Sequence, residues 1–138
     1  MKRKGPKYKY KYAMLVDDSE LDNFINQKTI EASNFANKIY VNTGSISALE
    51  FLSNLAITNV EVSTIFPEII FVDINMPMMN GFQFIENLKN RLHEKVPALK
   101  FVILTSSEDR QDKLKAEELG LGIIFLNKPL TQEMLNQL

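Results

Sequence analysis

Three carboxylates, a hydroxyl and an amine, far apart in the sequence, each stand at the end of an apolar run. "YAMLV" (12 to 16) runs into Asp17 and Asp18, and "EIIFV" (68 to 72) into Asp73. "FVIL" (101 to 104) runs into Thr105 and Ser106, and "IIFL" (123 to 126) leads through Asn127 to Lys128 and Pro129. Singly, each has an ordinary explanation, since an Asp or Thr after a strand usually caps a helix or forms a turn. Four strand ends marked together call for a shared one.

If these ends meet, the acids cannot simply coexist. Two carboxylates about 4 Å apart at an effective dielectric of about 20 repel by about 4 kcal/mol. A proton or a cation must relieve that. A hard divalent cation with oxygen ligands fits best, and Mg²⁺ typically takes one or two carboxylates, several waters and a phosphate oxygen. No His or Cys stands near to suggest zinc. A carboxylate beside Mg²⁺ can act as a nucleophile and form an aspartyl-phosphate. Phosphoryl transfer needs positioning and neutralisation of the equatorial oxygens, for which Lys128 and Thr105 supply an ammonium and a hydroxyl. On this reading Asp73 is charged at the end of a buried strand because it attacks phosphorus.

The elements that must hold these residues alternate along the chain. Strands are expected over 12–16, 38–42, 68–72, 101–104 and 123–126. Between them come helical patterns. The first, Glu20 to about Ala32, carries Leu21, Phe24 and Ile25 in an apolar stripe broken by Lys28, and opens with Ser19-x-x-Asp, a relative of the capping box. The second, 45 to 55, has Ile46, Leu49 and Leu52 on one face; residues 56 to 67 are mixed. The third, Gly81 to Leu92, carries Phe82, Ile85, Leu88 and Leu92, with Asn80 placed to cap it. A charged helix from Asp109 to Leu119 stops at Gly120, and Thr131 caps a last helix of about two turns. Short apolar strands separated by helices indicate βαβ units, a parallel sheet covered on both faces, and hence a doubly wound α/β domain. In such sheets ligands bind beyond the carboxyl ends of the strands.

The blocks "VDDS", "VDINMPMMNGF", "LTSS" and "LNKPL" resemble the four motif blocks of the two-component response-regulator receiver domain, over residues 12–138. The resemblance implies a flavodoxin-like, five-stranded parallel sheet in order 2-1-3-4-5 and a phosphorelay module rather than an enzyme in its own right. It makes Asp73 the phosphoacceptor, Asp18 a direct metal ligand, Asp17 the residue orienting metal-bound water, and the backbone carbonyl of Asn75 a further ligand for Mg²⁺. Thr105 becomes the switch hydroxyl, Lys128 the phosphate-binding cation with a cis bond to Pro129, and Phe125 the ring that moves with Thr105. Met76, Pro77 and Gly81 shape the loop behind the phosphate. Asn75 and Ser107 flank the approach of water and bear on phosphate lifetime. The implied partners are a histidine kinase or histidine phosphotransfer protein and a downstream target protein. The departure is the short last helix, which borders the family's output face.

The totals fit this. A chain of 138 residues can bury a real core, and 45% hydrophobic with 24% charged residues is ordinary for a soluble globular domain. Cysteine is absent, which excludes disulfides and suits a cytoplasmic protein. No apolar run approaches the ~18 residues of a membrane span, and the basic start lacks the apolar stretch of a signal peptide. Residues 1–11 hold six Lys or Arg and no acid, a solvated extension or a lead-in to the first strand, leaving ten Lys or Arg against seventeen Asp or Glu, a net −7. So acidic a body argues against nucleic-acid binding. His93, alone at a helix end, reads as solvated rather than as a phosphodonor, and Met78-Met79 as loop packing. No Gly-x-x-x-x-Gly-Lys loop marks a nucleotide triphosphatase. Two other functions compete. A phosphatase working through an aspartyl-phosphate needs a second Asp two residues after the first, where this chain has Asn75. A degenerate receiver that binds partners without phosphate usually lacks an acid, the Thr or the Lys, and none is lost here.

Overall fold

The computed structural model describes residues 7–57, 65–92 and 99–138. His93, most of the mixed stretch before the third strand and the first six residues of the basic segment lie outside them. The order along the chain is β1 (Tyr10–Val16), α1 (Glu20–Ala32), β2 (Ala36–Asn42), α2 (Ser45–Ala56), β3 (Ile69–Val72), α3 (Gly81–Leu92), β4 (Lys100–Thr105), α4 (Arg110–Leu119), β5 (Ile124–Asn127) and α5 (Gln132–Asn136). All five strands are parallel, in spatial order β2-β1-β3-β4-β5. This is the doubly wound sheet that the alternation of patterns predicts.

Alternate strand residues feed two cores. Met14, Val16, Ile70, Val72, Phe101 and Ile103 point to one face, where α2, α3 and α4 supply Leu49, Leu52, Ile85, Leu88 and Ala116. Ala13, Leu15, Ile69, Phe71, Val102 and Leu104 point to the other, covered by Ile30 of α1 and Leu135 of α5. All four residues of the central strand β3 are buried, which is why it reads as a continuous apolar run with no polar alternation.

The strands extend beyond their apolar runs where a polar residue has a reason to be there. β1 starts at Tyr10, whose buried ring lets its hydroxyl donate to the Leu138 carbonyl at 2.8 Å while accepting from Lys100 Nζ at 2.9 Å. The capping hydroxyls act as expected, although the Asp22 carboxylate does not complete a box with Ser19 N, which donates to Asp17 Oδ1 instead. Ser19 Oγ accepts from Asp22 N at 3.2 Å and Thr131 Oγ1 from Met134 N at 3.2 Å. Asn80 and Gln83 form a reciprocal pair at the start of α3, each side chain accepting the other's backbone N–H at 2.9 Å.

Helix α1 departs from its pattern. Its apolar stripe faces outward, with Leu21 66%, Phe24 57% and Ile25 41% exposed. The face that packs on the sheet carries Asn23, Asn26 and Ile30. The reason is local bonding. Asn23 Nδ2 donates to the Asp17 carbonyl at 2.8 Å, and Asn26 Oδ1 accepts from Leu130 N at 3.2 Å. The backbone loops after β1 and β5 need these polar partners, so the helix presents amides where a simple amphipathic rule puts leucines. In α2, Ile46 also lies outward, 39% exposed, while Ala48, Leu49 and Leu52 are buried.

Ile30 and Phe24 therefore separate in a stability measurement. In urea unfolding, Ile30→Ala is expected to cost about 2–4 kcal/mol, as a large-to-small change in a closed core. Phe24→Ser is expected to cost under about 1 kcal/mol.

Candidate functional site

The register of the sheet brings the ends of β1, β3 and β4 side by side, with Val16 opposite Val72 and Val72 opposite Ile103. Beyond them lie Asp17, Asp73 and Thr105, all buried, and exposed Asp18. Oxygens of Asp17, Asp18 and Asp73 lie within 4.8 Å of one another. Lys128 reaches across from the end of β5, its backbone N–H donating to the Thr105 carbonyl at 2.9 Å. The Lys128-Pro129 bond is cis.

The Lys128 ammonium stands among three carboxylates. It is 2.5 Å from Asp17 Oδ2, 2.8 Å from Asp22 Oδ2 and 3.6 Å from Asp73 Oδ2. Burial disfavours its charge, but the hydrogen bonds to Asp17 and Asp22 and the charge of Asp73 outweigh burial and raise its pKa above the ordinary lysine value. Asp73 is shifted up as well. Burial disfavours its anion and the Asp17 charge adds to this; Lys128, the Thr105 hydroxyl and the Ile74 backbone N–H pull the other way and only partly compensate.

Asp73 Oδ1 is buried and has no hydrogen-bond partner among the described residues. A buried charged oxygen left without a partner is costly. Its orphan lone pairs, together with the nearby oxygens of Asp17 and Asp18, form an all-oxygen donor set suited to a hard divalent cation. The residues present therefore fit such an ion.

The loop after β3 is built around Asp73 by backbone. The Ile74 carbonyl accepts from Met76 N at 3.1 Å and from Gly81 N at 2.9 Å. A side chain at Gly81 would overlap the Asp73 carbonyl oxygen and press to 3.1 Å on Ile74 Cα. This close approach, not a turn conformation, is why glycine opens α3. Asn75 lies in this loop, exposed. On the β4 side, Ser107 N donates to Thr105 Oγ1 at 3.2 Å, and Ser107 Oγ to Asp112 Oδ2 of α4 at 2.7 Å. Asn127 Nδ2 donates to the Ser107 carbonyl at 3.0 Å, linking the same loop to β5. Phe125 on β5 is half-buried against the core under α4.

The sequence singled out Asp17, Asp18, Asp73, Thr105 and Lys128, and the fold brings them to one rim. It did not single out Asp22, Asn23 and Asn26, which bind Lys128, the Asp17 carbonyl and Leu130 N. Their signal was the polar spacing at the start of α1, directly after the acid pair.

A parallel sheet in this order, with acids, a buried threonine and a lysine at its carboxyl rim, defines a class of α/β signalling domain. The chain belongs to the response regulator receiver domain family, whose model matches residues 13–138. It is 27% identical over 122 residues to the sensor histidine kinase CheAY of Helicobacter pylori, a match that covers 88% of this chain but only 14% of that protein. A two-component response regulator from Cytophaga hutchinsonii superposes with a TM-score of 0.80 at 30% identity, over 92% of each chain. The receiver domain of the histidine kinase CKI1 from Arabidopsis thaliana, complexed with Mg²⁺, shares the fold at a TM-score of 0.73 and 14% identity, over 85% of this chain and 82% of that one. Among the described residues no helix is long and apolar enough to cross a membrane.

Two outcomes test the site. A carboxyl group whose folded pKa is raised contributes stability below its ordinary pKa of about 4, and that contribution is lost as pH rises through the raised value. In metal-free buffer, Asp73→Asn is therefore expected to melt above the wild type at neutral pH, with the gap closing in acid; calorimetry across pH checks this. Gly81→Ala is expected to cost about 1–3 kcal/mol in urea unfolding, because backbone rather than a flexible side chain must yield.

Proposed function

We propose that this domain accepts a phosphoryl group on Asp73 from a phosphohistidine of a histidine kinase or histidine phosphotransfer protein, in the cytoplasm, and thereby switches a surface that binds a target protein. The observation that carries the reading is the Asp73 carboxylate itself. It is buried at the end of the central strand, one oxygen lacks a hydrogen-bond partner among the described residues, and an ammonium lies 3.6 Å from the other.

In the transfer, a carboxylate oxygen of Asp73 attacks phosphorus. The P–N bond breaks and its electron pair returns to the donor imidazole, leaving an acyl phosphate on Asp73. The Lys128 ammonium neutralises one equatorial oxygen, and the Thr105 hydroxyl donates to another. Asp17, Asp18, Asp73 and the Asn75 carbonyl would hold Mg²⁺, which supplies positive charge for the remaining oxygens when bound. Rate comes from preset charge and position, as a dissociative phosphoryl transfer asks for little acid–base help.

The new dianion then draws on Thr105 and Lys128. Thr105 ends β4, and the loop that follows is bonded back to its hydroxyl by Ser107 N and tied through Ser107 to Asp112 of α4 and to Asn127 of β5. A shift at Thr105 therefore reaches α4 and the strand bearing Phe125, which biases a two-state equilibrium at that face. Ile25 lines the same recess as Lys128, and with Leu21 and Phe24 it makes an outward apolar side of α1 that suits contact with a protein donor.

Incubation with acetyl phosphate and Mg²⁺, followed by intact-mass measurement, is the test. The wild type is expected to gain one phosphoryl group, and Asp73→Asn or added chelator none. A chain that stays unmodified while keeping its fold and its partner would mark a phosphate-independent binding module. Steady turnover of many phosphomonoesters per chain would mark a phosphatase.

A further inference from the structure

Asp22 has no part in the roles assigned above, yet it makes one of the two shortest contacts of Lys128. It occupies the third position of α1, where a carboxylate normally turns back to the N–H of the capping residue. Here that N–H is taken. Ser19 N donates to Asp17 Oδ1 at 2.9 Å. The Asp22 carboxylate, freed from the capping box, swings over the site and accepts from Lys128 Nζ at 2.8 Å.

The ammonium's short contacts thus go to Asp17 and Asp22, while Asp73 is left at 3.6 Å. Asp22 is also the more accessible of these two holders, its side chain 37% exposed against 7% for Asp17. It lines a surface recess of ≈ 190 Å³ together with Ile25, Asn26, Ser106, Lys128 and Pro129. The Asp22 and Lys128 side chains thus share one open recess beside the acids.

We propose that Asp22 is a positioning residue that holds the Lys128 ammonium off Asp73 in the unphosphorylated state and releases it when a phosphoryl group arrives. The proposal rests on Asp73 being the phosphoacceptor. Exchange of one oxygen partner for another leaves the lysine charged throughout, so the latch costs only the difference between two ion pairs. It keeps Lys128 from settling on the empty carboxylate and slows phosphorylation by donors that bring no contacts of their own.

The experiment compares wild type, Asp22→Asn, Asp22→Glu and Glu20→Gln. Glu20 lies on the same turn, is exposed and carries the same charge, so its neutralisation reports general electrostatics alone. The rate of phosphorylation by acetyl phosphate with Mg²⁺ is expected to rise roughly threefold to fivefold in Asp22→Asn, the range set by a partly exposed ion pair. Asp22→Glu is expected to restore the slower rate, and Glu20→Gln to leave it unchanged. Independently of reaction, the ¹⁵Nζ resonance of Lys128 in metal-free protein is expected to move in Asp22→Asn and not in Glu20→Gln. An equal or slower rate in Asp22→Asn, or the same gain in Glu20→Gln, overturns the proposal while leaving Asp73 as phosphoacceptor. Failure of the wild type to take up any phosphoryl group overturns both.

Discussion

The ion pairs that Asp17, Asp22 and Asp73 make among the described residues all converge on one ammonium, that of Lys128. Three negative charges around one positive charge leave a deficit among the described residues. The three carboxylates keep the lysine firmly protonated, while burial, with the Asp17 charge added to it, raises the pKa of Asp73. The site is accordingly poised to take up positive charge and to rearrange its one cation. A rim balanced in charge would be more stable and would have less reason to bind anything.

Holding that imbalance in place takes a rigid frame. β3 has a neighbour on each side and is buried throughout, so Asp73 leaves the sheet at a fixed height. The following loop bends back so tightly that only glycine fits against the Asp73 carbonyl. On the other side, amides of α1 fix the chain after β1 and after β5. The same bonds that spare the loops an unpaired N–H or carbonyl also set where Asp17 and Lys128 stand.

Much of this was legible in the sequence, for definable reasons. The strands show because parallel strands buried on both faces must be apolar without interruption, and their ends show because Asp, Thr and Lys interrupt such runs abruptly. The helix boundaries show where capping residues mark them: Ser19, Asn80 and Thr131 act as side-chain caps, whereas Asp109, read as the first residue of its helix, caps it. What stayed hidden lies on α1. Hydrophobic periodicity assumes that the buried face of a helix is its apolar face, and here Asn23 and Asn26 face inward to serve loops that are distant in sequence. Asp22 stayed hidden for a related reason. A carboxylate three residues after a capping serine is ordinarily explained by the capping box, and only the fold reveals that Lys128, 106 positions later, has claimed it.

The outward position of Leu21, Phe24 and Ile25 has an evolutionary side. Side chains that contribute little to folding can be exchanged without threatening the native state, whereas Asn23 and Asn26, one helical face away, cannot. If the outward side meets the donor as proposed, recognition and integrity are divided between opposite sides of a single helix. Duplicated copies of such a gene could diverge in whom they answer to, substitution by substitution, with the reactive rim left untouched.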